Sequence, residues 1–137
     1  MVLLISGMVC AFIALIAAVI LQFRLGGWLW LSGLSAMDSE RRARCNSEPL
    51  RRRLSILLYV LSFIFLFAAF FLHIRLISPL WYLRLLFISL IIAIDCIWFV
   101  YRRYDGVSHT HAETRAARLF LVMVHAFFGG FYLFLLY

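Results

Sequence analysis

Two ionisable residues stand where the sequence is otherwise apolar. Asp95 falls in the stretch from about residue 80 to 101, and His125 in the stretch from about 116 to 137. A carboxylate and an imidazole can pass a proton between them, so the chemistry on offer is a proton or cation relay. Six residues separate Asp95 from Tyr101, which places it ~9 Å into its helix. Nine residues separate His125 from Ala116, a depth of ~13 Å. A lone carboxylate at such a depth costs about 2.5–3.5 kcal/mol on insertion scales, so Asp95 is expected to turn inward to a partner. Helical periodicity puts Arg84, Asp95 and Arg102 on nearly one face, and Arg118, His125, Gly129 and Tyr132 on nearly one face of the next helix. Arg118, with its long stem, competes with His125 for Asp95. The same residues fit a polar contact that fixes helix register, and the lack of a polar path on either side favours that structural role.

His109-Thr110-His111, with Asp105 and Glu113 nearby, is the second cluster. Two histidines and a carboxylate can hold zinc or copper, which would make His109, His111 and Glu113 an interfacial metal or enzyme site. The spacing matches no zinc module, and a polar loop needs such residues anyway. No cofactor is expected: a b-type haem needs two histidines at matching depth on facing helices, whereas His73 lies near a span's end and His125 near a span's middle. No nucleophile–base set, glycine-rich phosphate loop or carboxylate pair is present. The three cysteines, Cys10, Cys45 and Cys96, show no disulfide or zinc spacing.

The elements that must position these groups are membrane spans. Of 137 residues, 66% are hydrophobic and 14% charged, against roughly 25% charged in soluble domains. Mean hydropathy is +1.04. Val2 to Leu21 carries no charge and reaches roughly 30 Å as a helix, the thickness of the hydrocarbon core; it is read as a retained helix and not a signal peptide. Four spans are predicted, at about 2–23, 54–75, 80–101 and 116–137. Gly7, Ala11, Ala14 and Ala18 form a small-residue stripe on the first. Ser55, Tyr59, Ser62, Leu66, Ala69 and His73 share a face of the second. Ala126 and Gly130 form a small-x-x-x-small pair on the fourth. Such stripes let helix backbones approach closely, and packing within the chain is favoured over a dimer contact.

All thirteen basic residues are arginine, and the net charge is +7. Nucleic acid is not the expected partner, because the arginines flank apolar spans; anionic lipid headgroups and topology account for them. The first loop holds Arg24, Arg41, Arg42, Arg44, Arg51, Arg52 and Arg53, and the third holds Arg102, Arg103, Arg115 and Arg118. The second connection has Arg75 and Arg84 alone. The positive-inside rule therefore puts the first and third loops in the cytoplasm and both termini outside. Asp38 and Asn46 are capping residues, and Pro49 follows Ser47-Glu48. They predict a short basic helix at about 39–45 on the membrane surface and a second helix from near Ser47 running into the membrane. Arg41, Arg42, Arg44, Arg51, Arg52 and Arg53 are the expected lipid or partner surface.

This loop carries a family resemblance. Ser32-Gly33-Leu34-Ser35-Ala36-Met37-Asp38-Ser39-Glu40-Arg41-Arg42 aligns without a gap to a segment close to A-G-Y-N-T-M-S-x-E-E-K, with Cys45-Asn46 and Leu50 at its later Y-D and L positions. Gly33, Met37, Glu40 and Leu50 match outright. Asp38 and Asn46 exchange one capping residue for another, and Leu34-Ser35 replaces a Tyr-Asn pair. The chain thus resembles, over roughly residues 1–75, a domain-of-unknown-function family of small bacterial membrane proteins. The resemblance implies the topology and no chemistry. The expected fold is an all-α, integral membrane four-helix bundle with a short cytoplasmic interfacial helix, in the cell membrane. The expected function is that of an accessory, scaffold, or stress- or immunity-type protein acting through helix packing, with a larger membrane protein or a second copy as partner. A small oligomeric transporter or channel using Asp95 and His125 is the alternative, and an interfacial histidine-site enzyme the third.

Overall fold

The computed structural model describes residues 1–32, 34–36, 39–104 and 111–134, without the side chains of residues 36, 41 and 111–113. Four long helices carry the chain: α1 (Val2–Phe23), α4 (Ser47–His73), α5 (Pro79–Tyr104) and α6 (His111–Phe134). Two short ones, α2 (Trp28–Leu31) and α3 (Ser39–Arg44), and a 3₁₀ turn (Leu34–Ala36) lie between α1 and α4. Each long helix is long and apolar enough to cross a membrane. The protein is all-α, and it is a multi-pass membrane protein.

α1 and α4 form the tightest pair. The predicted small-residue stripe is the contact: Gly7, Ala11, Ala14 and Ala18 are buried, with Leu21 at the end of the row. Where a side chain is only a hydrogen or a methyl, the neighbouring helix reaches the backbone itself. Ser62 Oγ donates to the Ala11 carbonyl at 2.9 Å, and Ser55 Oγ to the Ala18 carbonyl at 2.9 Å. Two serines seven residues apart thus meet two alanines seven apart, which fixes the antiparallel register. α4 packs in turn on α5. The turn between them has Arg75 at φ 57, and Ser78 accepts from the Trp81 N–H at 3.4 Å, with Pro79 as the first helical residue.

The far end of this three-helix unit closes on Tyr82, which is fully buried beside Ala68 and Ala69, against Leu3, Leu4, Leu72, Ile77 and Leu86. The arginine-rich end closes on Leu21, Leu34, Cys45, Leu50 and Leu54. α6 is different. None of its described residues is buried. It leans on α5 through Phe87, whose ring centroid lies 5.0 Å from that of Phe131 and 5.9 Å from that of Phe128. Packing of Ala126 and Gly130 inside the chain was the expectation, and it does not occur among the described residues. A Cβ placed on Gly129 or Gly130 would meet no atom within 4 Å. The phenylalanine side of α6 faces α5, so the small-residue side is left open.

Candidate functional site

The connection from α1 to α4 folds over the ends of the helices as a cap. Arg24 ends α1 in the left-handed region, at φ 53. Its guanidinium pairs with Glu48 in the first turn of α4. Ser32 is fully buried, and the Tyr101 hydroxyl of α5 donates to its carbonyl. Two more donors meet the last residue of α5: the Asn46 N–H reaches the Tyr104 carbonyl at 3.1 Å, and Cys45 Sγ lies 3.3 Å from the same oxygen. Carbonyls at a helix C-terminus have no partner within the helix, so the cap satisfies one of them. Asn46 occupies the position before α4, but its side chain does not cap that helix. Its backbone is committed to Tyr104 instead. Asp38 lies outside the described residues.

The six arginines expected to form one lipid or partner surface divide in two. Arg51 is turned inward, with 8% of its surface exposed. It donates to the carbonyls of Leu21 and Gln22 at the end of α1, and to Glu48 Oε1 at 2.6 Å. Arg51 is therefore an internal clamp. One helical turn back along the Ser55 and Ser62 face lies Arg51, so it belongs to the α1-facing stripe. Extending that stripe by four residues would have found it. Arg42 Nε donates to the Leu34 carbonyl at 2.9 Å and holds α3 against the 3₁₀ turn. Arg44 pairs with Glu40 along α3. Arg52 and Arg53 are exposed, and the side chain of Arg41 is outside the described set.

Asp95 and His125 are brought together across the α5–α6 joint. His125 Nε2 lies 3.1 Å from Asp95 Oδ2, and Nδ1 lies 2.8 Å from the Leu121 carbonyl. Arg118 is exposed and makes no hydrogen bond or ion pair with Asp95. The imidazole thus sits between a carbonyl, which can only accept, and a carboxyl group. Both contacts are satisfied in two ways. In one, a doubly protonated ring faces a carboxylate. In the other, a neutral ring accepts from a protonated Asp95. The two forms hold the same number of protons and the pair is neutral in each, which lowers the cost of placing it at membrane depth. The side chains are 48% and 41% exposed, so the pair stands on an open wall of the protein and not in a closed core.

Beside the pair lies a groove of about 780 Å³ between α4 and α5, edged by Leu121 of α6. Asp95 lies along it, with Arg53 and Arg103 also in its lining. A second hollow of about 440 Å³ shares Arg53, Ile56 and Tyr104 with it and adds Glu48 and Arg52. The groove was not foreseen in the sequence, because its walls are ordinary apolar residues of two spans. His109 lies outside the described residues, as do the side chains of His111 and Glu113. Among the described residues no three metal-binding side chains gather.

A family model for a domain of unknown function, DUF3784, matches residues 8–104. The chain belongs to the DUF3784 family. The matched segment runs from Met8 in α1 to Tyr104, the last residue of α5. It is longer than the half of the chain in which the resemblance was legible. It takes in the DUF3784 cap, the Arg51 clamp and the groove residues Arg53, Asp95 and Arg103, and it leaves α6 with His125 outside. No curated protein and no solved structure matches the chain.

Proposed function

We propose that this DUF3784 protein is an accessory or scaffold protein of the membrane, of the stress or immunity type, that acts by offering a helix face to another membrane helix. The observation that carries this reading is α6, whose small-residue side at Ala126 and Gly130 is exposed while the other three spans pack together. In a bilayer the tails are as apolar as leucine, so close backbone approach at small residues is a main source of helix association. The partner is a larger membrane protein or a second copy of the chain. The arginine count supports a cytoplasmic position for the first and third loops, with both termini outside and a bacterial cell membrane as the setting. Gly130→Leu tests the reading. A Cβ at this position meets no atom within 4 Å, and replacing glycine within a helix gains about 0.5–1 kcal/mol. The variant is expected to keep its thermal stability and to lose association at least tenfold, read by native mass spectrometry from mild detergent. Undiminished association would contradict the proposal.

The exposure of the Asp95–His125 pair, with Asp95 on the wall of the groove, favours a second reading, a small oligomeric transporter or channel. Asp95→Asn keeps the shape and ends proton exchange. If the pair lies in a transport path, pH-dependent flux in proteoliposomes falls by an order of magnitude while the protein still accumulates. If it fixes helix register, stability falls by about 0.6–1.7 kcal/mol, from the average to the maximum for polar contacts between membrane helices, and no flux is lost.

A further inference from the structure

We propose that the groove between α4 and α5 binds one anionic phospholipid, with its phosphate between Arg53 and Arg103 and one acyl chain laid along α5 toward Asp95. The volume of about 780 Å³ falls within the roughly 300–1,000 Å³ of ligand sites. Its sides are apolar, from Ile56 and Leu57 on α4 to Phe99 and Val100 on α5. Its mouth is basic, because Arg52 enters through the adjoining hollow that shares Arg53.

Charge decides what fits the mouth. The neighbouring arginines are engaged: Arg24 and Arg51 on Glu48, Arg44 on Glu40, Arg42 on backbone carbonyls. Arg52, Arg53 and Arg103 make no hydrogen bond or ion pair with another described residue. Glu48 borders the mouth, but two arginines already hold it. Asp95 lies along the same groove, with its Oδ2 3.1 Å from His125 Nε2. A positive mouth above an apolar trough complements a phosphate with a hydrocarbon tail, and guanidinium forks suit phosphate oxygens.

Depth agrees with this occupant. Asp95 is eight residues from Arg103, or ~12 Å along the helix, less than half of the roughly 30 Å hydrocarbon core. With the arginines at headgroup level, the trough reaches only into the acyl region. A tail that moves from bilayer to groove exchanges one apolar surroundings for another, so selectivity comes from the head. A free phosphate would leave the apolar trough unused.

The test is native mass spectrometry of the full chain in detergent, with phosphatidylglycerol or phosphatidylcholine of the same acyl chains added. Wild type is expected to retain phosphatidylglycerol in preference to phosphatidylcholine. Each arginine near a membrane surface contributes about fivefold, so Arg53→Gln with Arg103→Gln weakens retention by about 25-fold. Both residues are exposed, so the variant is expected to keep its thermal stability. Ile56→Trp, which narrows the trough and leaves the arginines, is expected to weaken retention as well. Equal retention of the two lipids, equal retention by the double-arginine variant, or displacement by millimolar inorganic phosphate would overturn the proposal. The last result would mark a site for free phosphate, and the first two would leave the groove to another occupant.

Discussion

Arg51→Leu is expected to destabilise the protein by about 3 kcal/mol, roughly a hundredfold in the folded fraction, far more than the same change at Arg52 or Arg53. The guanidinium bridges the end of α1 to the start of α4: it is buried and donates to the Leu21 and Gln22 carbonyls and to Glu48. Its removal strands two carbonyls at a helix terminus, where the helix itself offers no donor. Leucine fills part of the space and supplies none of the donors. Arg51→Lys is expected to recover the charge and only part of the stability, because an ammonium cannot present the planar fork. Arg52→Leu and Arg53→Leu, on the exposed side of the same turn, are expected to stay within about 0.5 kcal/mol. Reversible unfolding in mixed micelles, followed by far-UV circular dichroism, separates these outcomes. Equal effects at 51, 52 and 53 would mean that the clamp does not hold α1 to α4.

The second large effect is expected at the opposite end. A Cβ on Gly7 would collide with the Tyr82 hydroxyl and stand 3.0 Å from the ring carbon that bears it. Tyr82 is fully buried, so its ring has nowhere to swing. Overpacking a filled core costs about 1–3 kcal/mol, and Gly7→Leu is expected at the top of that range. Tyr82 Oη also has no hydrogen-bond partner among the described residues. Tyr82→Phe is therefore expected to be neutral or stabilising, since a buried hydroxyl without a partner costs about 1–3 kcal/mol. The two positions should couple: Gly7→Ala alone destabilises, and Gly7→Ala with Tyr82→Phe recovers at least 1 kcal/mol in a double-mutant cycle. Simple additivity would show that α1 does not approach α5 at this point.

These two positions also show how far the sequence could be read. Gly7 heads a stripe of residues with little or no side chain, and small residues at heptad spacing in an uncharged span have few uses besides close packing. The α1 contact was legible for that reason. Tyr82 was not, because a tyrosine at the start of a span reads as an interfacial anchor. Arg51 was hidden among like neighbours. Three consecutive arginines look equivalent as charge, and only the helical phase set by Ser55 and Ser62 turns the first of them inward. Asp95 and His125 could be matched by depth, but depth could not choose between His125 and Arg118. The choice rests on the direction from which α6 meets α5, which the phenylalanines around Phe87 determine. The same tertiary fact leaves Gly129 and Gly130 on the open side. A small-residue pair predicts close packing without saying whether the other helix belongs to the same chain.

The open side of α6 carries the central claim, and cross-linking in intact membranes tests it most directly. A photo-reactive side chain placed at position 130 is expected to capture another membrane protein, or a second copy of this chain, in a single band. The same group placed at position 128, on the side that faces Phe87, should give no such band. Capture of lipid alone at position 130, with the chain running as a monomer, would contradict the account.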